Sequence, residues 1–233
     1  MSTRYALYFA PEAGSPLAEF GEAVLGRTAT QARSADATGA YSDRQRWLAL
    51  TTSPAHYGFH ATLKAPFELA EGCSLDELKQ QVAAFASTQS PIALPGLRPR
   101  RLSNFAALTL EHQPEALSSL AFRVVEAFEP WRRPLSDQDI ERRKQQALSD
   151  RQLELLERYG YPYVGEEFRF HMTLSGPLGE QDQDFVNWLQ EFYARQLEGT
   201  PQLDQLAIYA QTSRSMPFIR LNSYPLGSAR DCE

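Results

Sequence analysis

Two of the four histidines in this 233-residue chain stand in the same local frame, His-x-Thr-Leu-x-x-Pro: HATLKAP begins at His60 and HMTLSGP at His171. In a strand, residues two apart face one side, so His60 with Thr62, and His171 with Thr173, each offer an imidazole and a hydroxyl to one surface. Imidazole changes charge near neutral pH, which suits one ring to take a proton from an attacking water and another to protonate a departing oxygen. Threonine hydroxyls can donate to the non-bridging oxygens of a phosphate and offset charge that grows as a phosphoester bond breaks. Brought together, these four side chains would be equipped to open a cyclic phosphodiester.

The surrounding sequence must supply the elements that bring them together. RYALYF alternates as a strand with Tyr5, Leu7 and Phe9 on one side, and SPLAEFGEAVLG follows as a helix capped at Ser15 and ended at Gly26. Over residues 27–47 the pattern decays, which reads as an insertion or mobile loop. HYGFHATLKAPF is strand-like, with Phe59, Ala61 and Leu63 on one face and His60, Thr62 and Lys64 on the other. SLDELKQQVAAFA carries a capping box at Ser74 and Glu77, and strands are expected over 92–101 and 105–111. A helical region over 115–158 is interrupted at Pro130 and Pro134, with Ser136 capping a second half that stops before Gly160. Its ERRK run, Glu141 to Lys144, reads as a solvated helix face.

The early order then returns. FRFHMTLSGPL sends Phe168, Phe170, Met172 and Leu174 one way and Arg169, His171, Thr173 and Ser175 the other, before a helix over 182–197 and strands over 203–211 and 217–224. The step from His60 to His171, taken from Ile92, lands on Leu203, and taken from Phe105 it lands on Met216. A matched motif followed by the same helix and strands at matched offsets reads as an internal repeat.

These motifs, with the longer strings YGFHATLKAPF and GYPYVGEEFRFHMTLSGPL, resemble the two-histidine (2H) phosphoesterase superfamily, and within it the bacterial branch associated with phosphonate metabolism. The resemblance implies an α+β fold: two pseudo-symmetric lobes with antiparallel sheets flanking a central cleft and helices on the outer faces. It implies a single two-lobed domain over 1–233, with lobes near 1–113 and 160–226 joined by a helical connection, 114–159. It also implies catalysis by His60, Thr62, His171 and Thr173 without a metal or other cofactor. The implied substrates are cyclic nucleotides, cyclic phosphates at RNA ends or sugar cyclic phosphates.

Around that core, Lys64 and Arg169 share the polar side of their strands with the histidines and are candidate phosphate contacts; Ser175 occupies the position matching Lys64. Tyr57 and Tyr163 lie near the motifs and could stack on a base, and Arg214, in the TSRSMPF turn, is a further phosphate candidate. His56 and His112 read as structural. HYGFH spaces two histidines as a zinc-binding helix would, but Pro54 and Gly58 oppose a helix there and no cysteine or carboxylate completes a set, so no metal is expected.

Composition narrows the partners. At 42% hydrophobic and 22% charged the chain is an ordinary globular one, and its formal net charge of -6 opposes binding to long nucleic acid while leaving room for a small anion. A small phosphorylated sugar or nucleotide is therefore favoured, with an RNA end as the alternative. No apolar run suggests a membrane span or signal core, so a cytoplasmic location is expected, and Cys73 and Cys232 read as free thiols. The rival functional class is a module that binds a nucleotide or phospho-sugar in the same cleft without turning it over.

Overall fold

A computed structural model gives the structure and describes residues 3–25, 41–144 and 147–227. RYALYF forms β1 (Arg4–Phe9): Leu7 and Phe9 enter the main core, Tyr5 packs against it, and Ala6 and Tyr8 line a smaller cluster on the opposite face. Strand β1 lies second in a four-stranded antiparallel sheet in the order β2 (Ala61–Glu68), β1, β8 (Gln205–Gln211), β9 (Ile219–Pro225). A second antiparallel sheet runs β4 (Arg98–Leu102), β5 (Phe105–Thr109), β6 (His171–Thr173). A separate short ladder pairs β3 (Ile92–Ala93) with β7 (Gln202–Leu203), in which Ile92 faces Leu203. Helices and antiparallel sheets make the α+β class that was expected.

The sheets do not divide along the sequence halves 1–113 and 160–226. Strands β1 and β2 are completed by β8 and β9, while β4 and β5 are completed by β6. The reason lies in burial. QLAIYAQ in β8 is buried at every position but Ala210, so it needs a neighbour on each edge, which β1 and β9 supply, and cover on each face, where Leu206 and Ile208 join the main core and Ala207 and Tyr209 the smaller cluster. Strand β5, buried through Ala106, Ala107 and Leu108, lies between β4 and β6 for the same reason.

The helices follow their caps. Helix α1 (Pro16–Leu25) buries Leu17, Phe20, Val24 and Leu25, and α3 (Leu75–Ser87) begins with the expected capping box of Ser74 and Glu77. The connection between the halves is three helices rather than two: α4 (Glu115–Ala127), α5 (Asp137–Lys144) and α6 (Asp150–Tyr159). Ser149 and Gln152 form a second capping box, and Gly160, at φ 69°, ends α6 in the left-handed region. Helix α7 (Gln183–Gln196) packs Phe185, Leu189 and Phe192 inward. Among the described residues no helix is long and apolar enough to cross a membrane.

The largest departure from expectation is α2 (Arg44–Tyr57). The loop expected over 27–47 gives way to this helix from Arg44; residues 26–40, including Gly26, lie outside the described residues, as does Cys232. Helix α2 starts on the Asp43 side chain, buries Trp47, Leu50, Thr51 and Pro54 at helical spacing, and runs through Pro54. Proline lacks the N–H that would have bonded to Leu50. The Leu50 carbonyl accepts instead from Gly176 N–H at 2.6 Å, tying α2 to the part of the second histidine motif that follows β6. The strand expected from His56 consequently begins only at Ala61, after Gly58 has closed the helix.

Candidate functional site

His60 leads directly into β2. Ala61 and Leu63 are buried while His60 and Thr62 are half-buried, so the imidazole and hydroxyl share the solvent-facing side of the strand. Pairing with β1 then slips: Tyr8 faces Thr62 but Leu7 faces Lys64, so β2 carries one extra residue. An inserted residue exchanges the faces of the strand beyond it. Lys64 thus lies on the core side, with Leu7, and not beside Thr62. It is 3% exposed, and its Nζ donates to Val125 O at 3.1 Å and to Glu129 Oε2 at 2.9 Å. Burial pushes its pKa down, with Glu129 opposing the shift. The expected phosphate contact at Lys64 is therefore corrected to an internal ion pair.

The second motif repeats the exposure pattern: Met172 and Leu174 are buried, His171 and Thr173 half-buried. Strand β6 is only three residues long because upstream a side chain replaces a strand partner, Gln113 Oε1 accepting from Phe170 N–H at 2.7 Å. Downstream, Leu174 and Ser175 both donate their N–H to Ala106 O, which ends the alternation. Ser175 is 2% exposed; its Oγ accepts from Ala106 N–H and donates to Gly176 O, each at 2.8 Å. Ser175 is thus a cross-link between strands rather than a substrate contact. The Arg169 side chain is also diverted, donating to the carbonyls of Glu166 and Phe168 and lining a pocket with Gln113, Ser118 and Phe122.

The backbone of Arg169 nevertheless serves the site. His171 Nδ1 lies 2.8 Å from Arg169 O, and His60 Nδ1 lies 2.9 Å from Gly58 O. Both partners are carbonyls two residues upstream. A carbonyl can only accept, so Nδ1 carries the proton in both rings and Nε2 carries the exchangeable lone pair. Strands β2 and β6, though in different sheets, pack against each other and bring the two motifs to neighbouring positions.

The rings are held from one side by aromatics. Tyr8 stacks on His60 with centroids 3.8 Å apart, Tyr209 lies 6.2 Å from the same imidazole, and Phe105 meets His171 edge-on at 6.0 Å. Tyr57 packs on Phe218 at 5.9 Å, and Phe218 lies 6.0 Å from Tyr8, so Tyr57 belongs to the same aromatic group. Tyr163 is exposed and meets Tyr161 edge-on. Arg214 is exposed and pairs with Asp139 at 3.1 Å. Tyr8, Arg4 and Arg143 were not singled out from sequence. The alternation that sent Leu7 and Phe9 inward already put Arg4 and Tyr8 together on the other face of β1.

A family model described as a protein of unknown function, DUF1045, matches residues 62–219, well over half of the chain. The chain belongs to the DUF1045 family. This DUF1045 member is 36% identical over 229 residues to the ribose 1,5-bisphosphate phosphokinase PhnN of Janthinobacterium sp. (strain Marseille), covering 96% of this chain and 51% of that protein. A protein of the same name from Laribacter hongkongensis (strain HLHK9) is 35% identical over 195 residues, covering 80% of this chain and 42% of that one. The DUF1045 chain thus spans about half the length, or less, of these curated relatives. Solved structures similar to it include E. coli LigT complexed with 3'-AMP, at TM-score 0.42 and 15% identity over 97% of this chain and 99% of that one. Another is TT0787 of Thermus thermophilus, at TM-score 0.45 and 15% identity over 97% and 98%.

Proposed function

We propose that this chain is a 2H-type phosphodiesterase that opens the cyclic phosphodiester of a small phosphorylated sugar or nucleotide by paired histidine acid–base catalysis, without a metal. The observation that supports it most is the common wiring of His60 and His171, each with Nδ1 committed to a carbonyl two residues upstream. Binding an anion does not require two titratable rings; moving two protons does. One neutral histidine takes a proton from water through Nε2 as the water oxygen bonds to phosphorus. The other, as imidazolium, gives its Nε2 proton to the sugar oxygen whose bond to phosphorus breaks, and a phosphate monoester leaves. Thr62 and Thr173 hold the non-bridging oxygens. An internal repeat accounts for the two matched motifs.

The name of the relatives contains a phosphorylated ribose, which together with the acidic net charge favours a small sugar ester over an RNA end. That name also offers a second reading, phosphoryl transfer from a nucleotide. The sequence holds no Gly-Lys-Ser or Gly-Lys-Thr triplet of the kind with which P-loop kinases grip nucleotide phosphates. The test is a panel of nucleoside and sugar cyclic phosphates followed by phosphorus NMR across pH. A bell-shaped rate profile that EDTA leaves unchanged is expected. Binding without turnover across the panel would instead identify a non-catalytic nucleotide or phospho-sugar module.

A further inference from the structure

Beside the aromatic group under His60 lies a pocket of about 400 Å³, within the range typical of small-ligand sites. Its charged lining is Arg4, Arg132, Arg133, Arg143 and Arg214 against two carboxylates, Glu68 and Asp139. Such an excess of guanidinium is unusual in a chain whose net charge is -6. Three of the arginines are accounted for: Arg132 pairs with Glu129, Arg133 with Glu68 and Arg214 with Asp139.

Arg4 and Arg143 are different. Both are half-buried, and among the described residues no carboxylate forms an ion pair with either. Each is held by a neutral acceptor. Arg143 donates to the carbonyl of Gly160, and Arg4 donates to Oε1 of Gln211. Gln211 is 1% exposed and its Nε2 donates to Met216 O, so its oxygen is fixed toward Arg4. Burial, then repulsion from Arg214 for Arg4 and from Arg142 for Arg143, holds both guanidiniums below their ordinary pKa. Asp139, which also lines the pocket, offsets part of the charge of Arg143 without pairing with it, and fixing the two groups on neutral partners leaves the rest to be met by something else.

Position identifies what that is. The Arg4 guanidinium lies 5.7 Å from the Phe218 ring, which is 6.0 Å from Tyr8, itself stacked on His60. The pocket therefore adjoins the histidine face on the side of Arg4. We propose that Arg4 and Arg143 form a second anion subsite that takes a phosphate monoester carried by the substrate, in addition to the cyclic phosphate between the histidines. The proposal rests on the phosphodiesterase reading for the first phosphate, but not for the second.

The test uses the full chain, with Arg4→Gln and Arg143→Gln made separately. Adenosine 2',3'-cyclic phosphate is compared with its derivative bearing a 5'-phosphate monoester. The wild type should favour the 5'-phosphorylated compound by about tenfold or more in kcat/KM, mainly through KM, and each variant should shrink that ratio to about threefold or less. No preference in the wild type, or an undiminished preference in both variants, overturns the subsite. Calorimetric titration with ribose 5-phosphate, which has no cyclic ester, gives a readout independent of turnover. If neither cyclic compound is hydrolysed yet this binding weakens about tenfold in the variants, the subsite stands and the phosphodiesterase reading falls. Binding that is absent, or indifferent to both substitutions, overturns the subsite. Circular dichroism verifies folding, and Arg4→Lys replaces Arg4→Gln if the latter fails to fold, since it retains charge but loses the fork and should bind at an intermediate level.

Discussion

The ring of Tyr8 lies flat against the imidazole of His60, with centroids 3.8 Å apart and planes inclined by 19°. Tyr8 is 2% exposed and its hydroxyl is held protonated by burial, so only its aromatic face is at work. A stack of this kind contributes about 0.5–1.5 kcal/mol of orientation. Tyr8→Leu is expected to lower kcat by up to about tenfold with KM little changed, while Tyr8→Phe stays near wild type. Steady-state kinetics on folded protein decide it, and an unaltered kcat in Tyr8→Leu would remove any positioning role for the stack.

Either histidine replaced by alanine should cost about two to four orders of magnitude in kcat, the usual contribution of a general acid or base. The two losses should act on opposite limbs of the pH profile. His60→Ala and His171→Ala each abolish one limb, and the limb that disappears tells which ring is the base. A variant that retains both limbs would take its histidine out of the proposed mechanism.

Lys64 and Glu129 predict an asymmetry in stability. Glu129→Ala strands a buried ammonium and should cost about 3–5 kcal/mol. Lys64→Met fits the same space, and Glu129 keeps its bonds to Arg132 at 2.9 and 2.5 Å, so its cost should be under about 1.5 kcal/mol. The lowered pKa of Lys64 also sets a sign. From that pKa up to the ordinary value of 10.5 the unfolded chain binds more protons, so stability rises with pH in this window, and Lys64→Met removes that rise. Urea titrations at several pH values test both points; retained activity in Lys64→Met would confirm that Lys64 does not read substrate charge.

Asp182 gives a slope of the same sign in the acid range. It is 2% exposed and accepts two bonds from Arg46 of α2, at 2.7 and 2.5 Å, together with the N–H of Gly179. The bond from Arg46 is the chief reason its pKa falls below the usual 3.8. The stabilisation is complete above that ordinary value and is lost as pH falls through the lowered one. Because Arg46 is 35% exposed and can rehydrate, Asp182→Asn should cost only about 1–2 kcal/mol at neutral pH. It should also flatten the acid limb of the stability curve, which thermal unfolding from neutral pH to about pH 2 would reveal.

The paired motifs, the capping box at Ser74 and the inward face of β1 were legible because each rests on local spacing. Lys64 and Ser175 were misplaced because alternation assumes an unbroken ladder, and an extra residue in β2 and a shared carbonyl at Ala106 both break it. Helix α2 was missed because Pro54 reads as a breaker. Its lost bond is compensated by Gly176, far along the chain, and no local rule could supply that partner. Arg143 stood in a run that reads as solvated; only the neighbouring Gly160 and the pocket it faces give it meaning.

The exchange of strands between the two sheets also shapes how the chain comes to be made. β1 is made before β8, and the neighbour that covers its second edge meets it across the Arg4–Gln211 register, 207 residues later. Until then the nascent chain presents an unpaired, half-apolar edge, which is slow to close and open to mispairing. Severing the 114–159 connection would yield fragments that each lack a sheet partner and become ordered only by meeting one another.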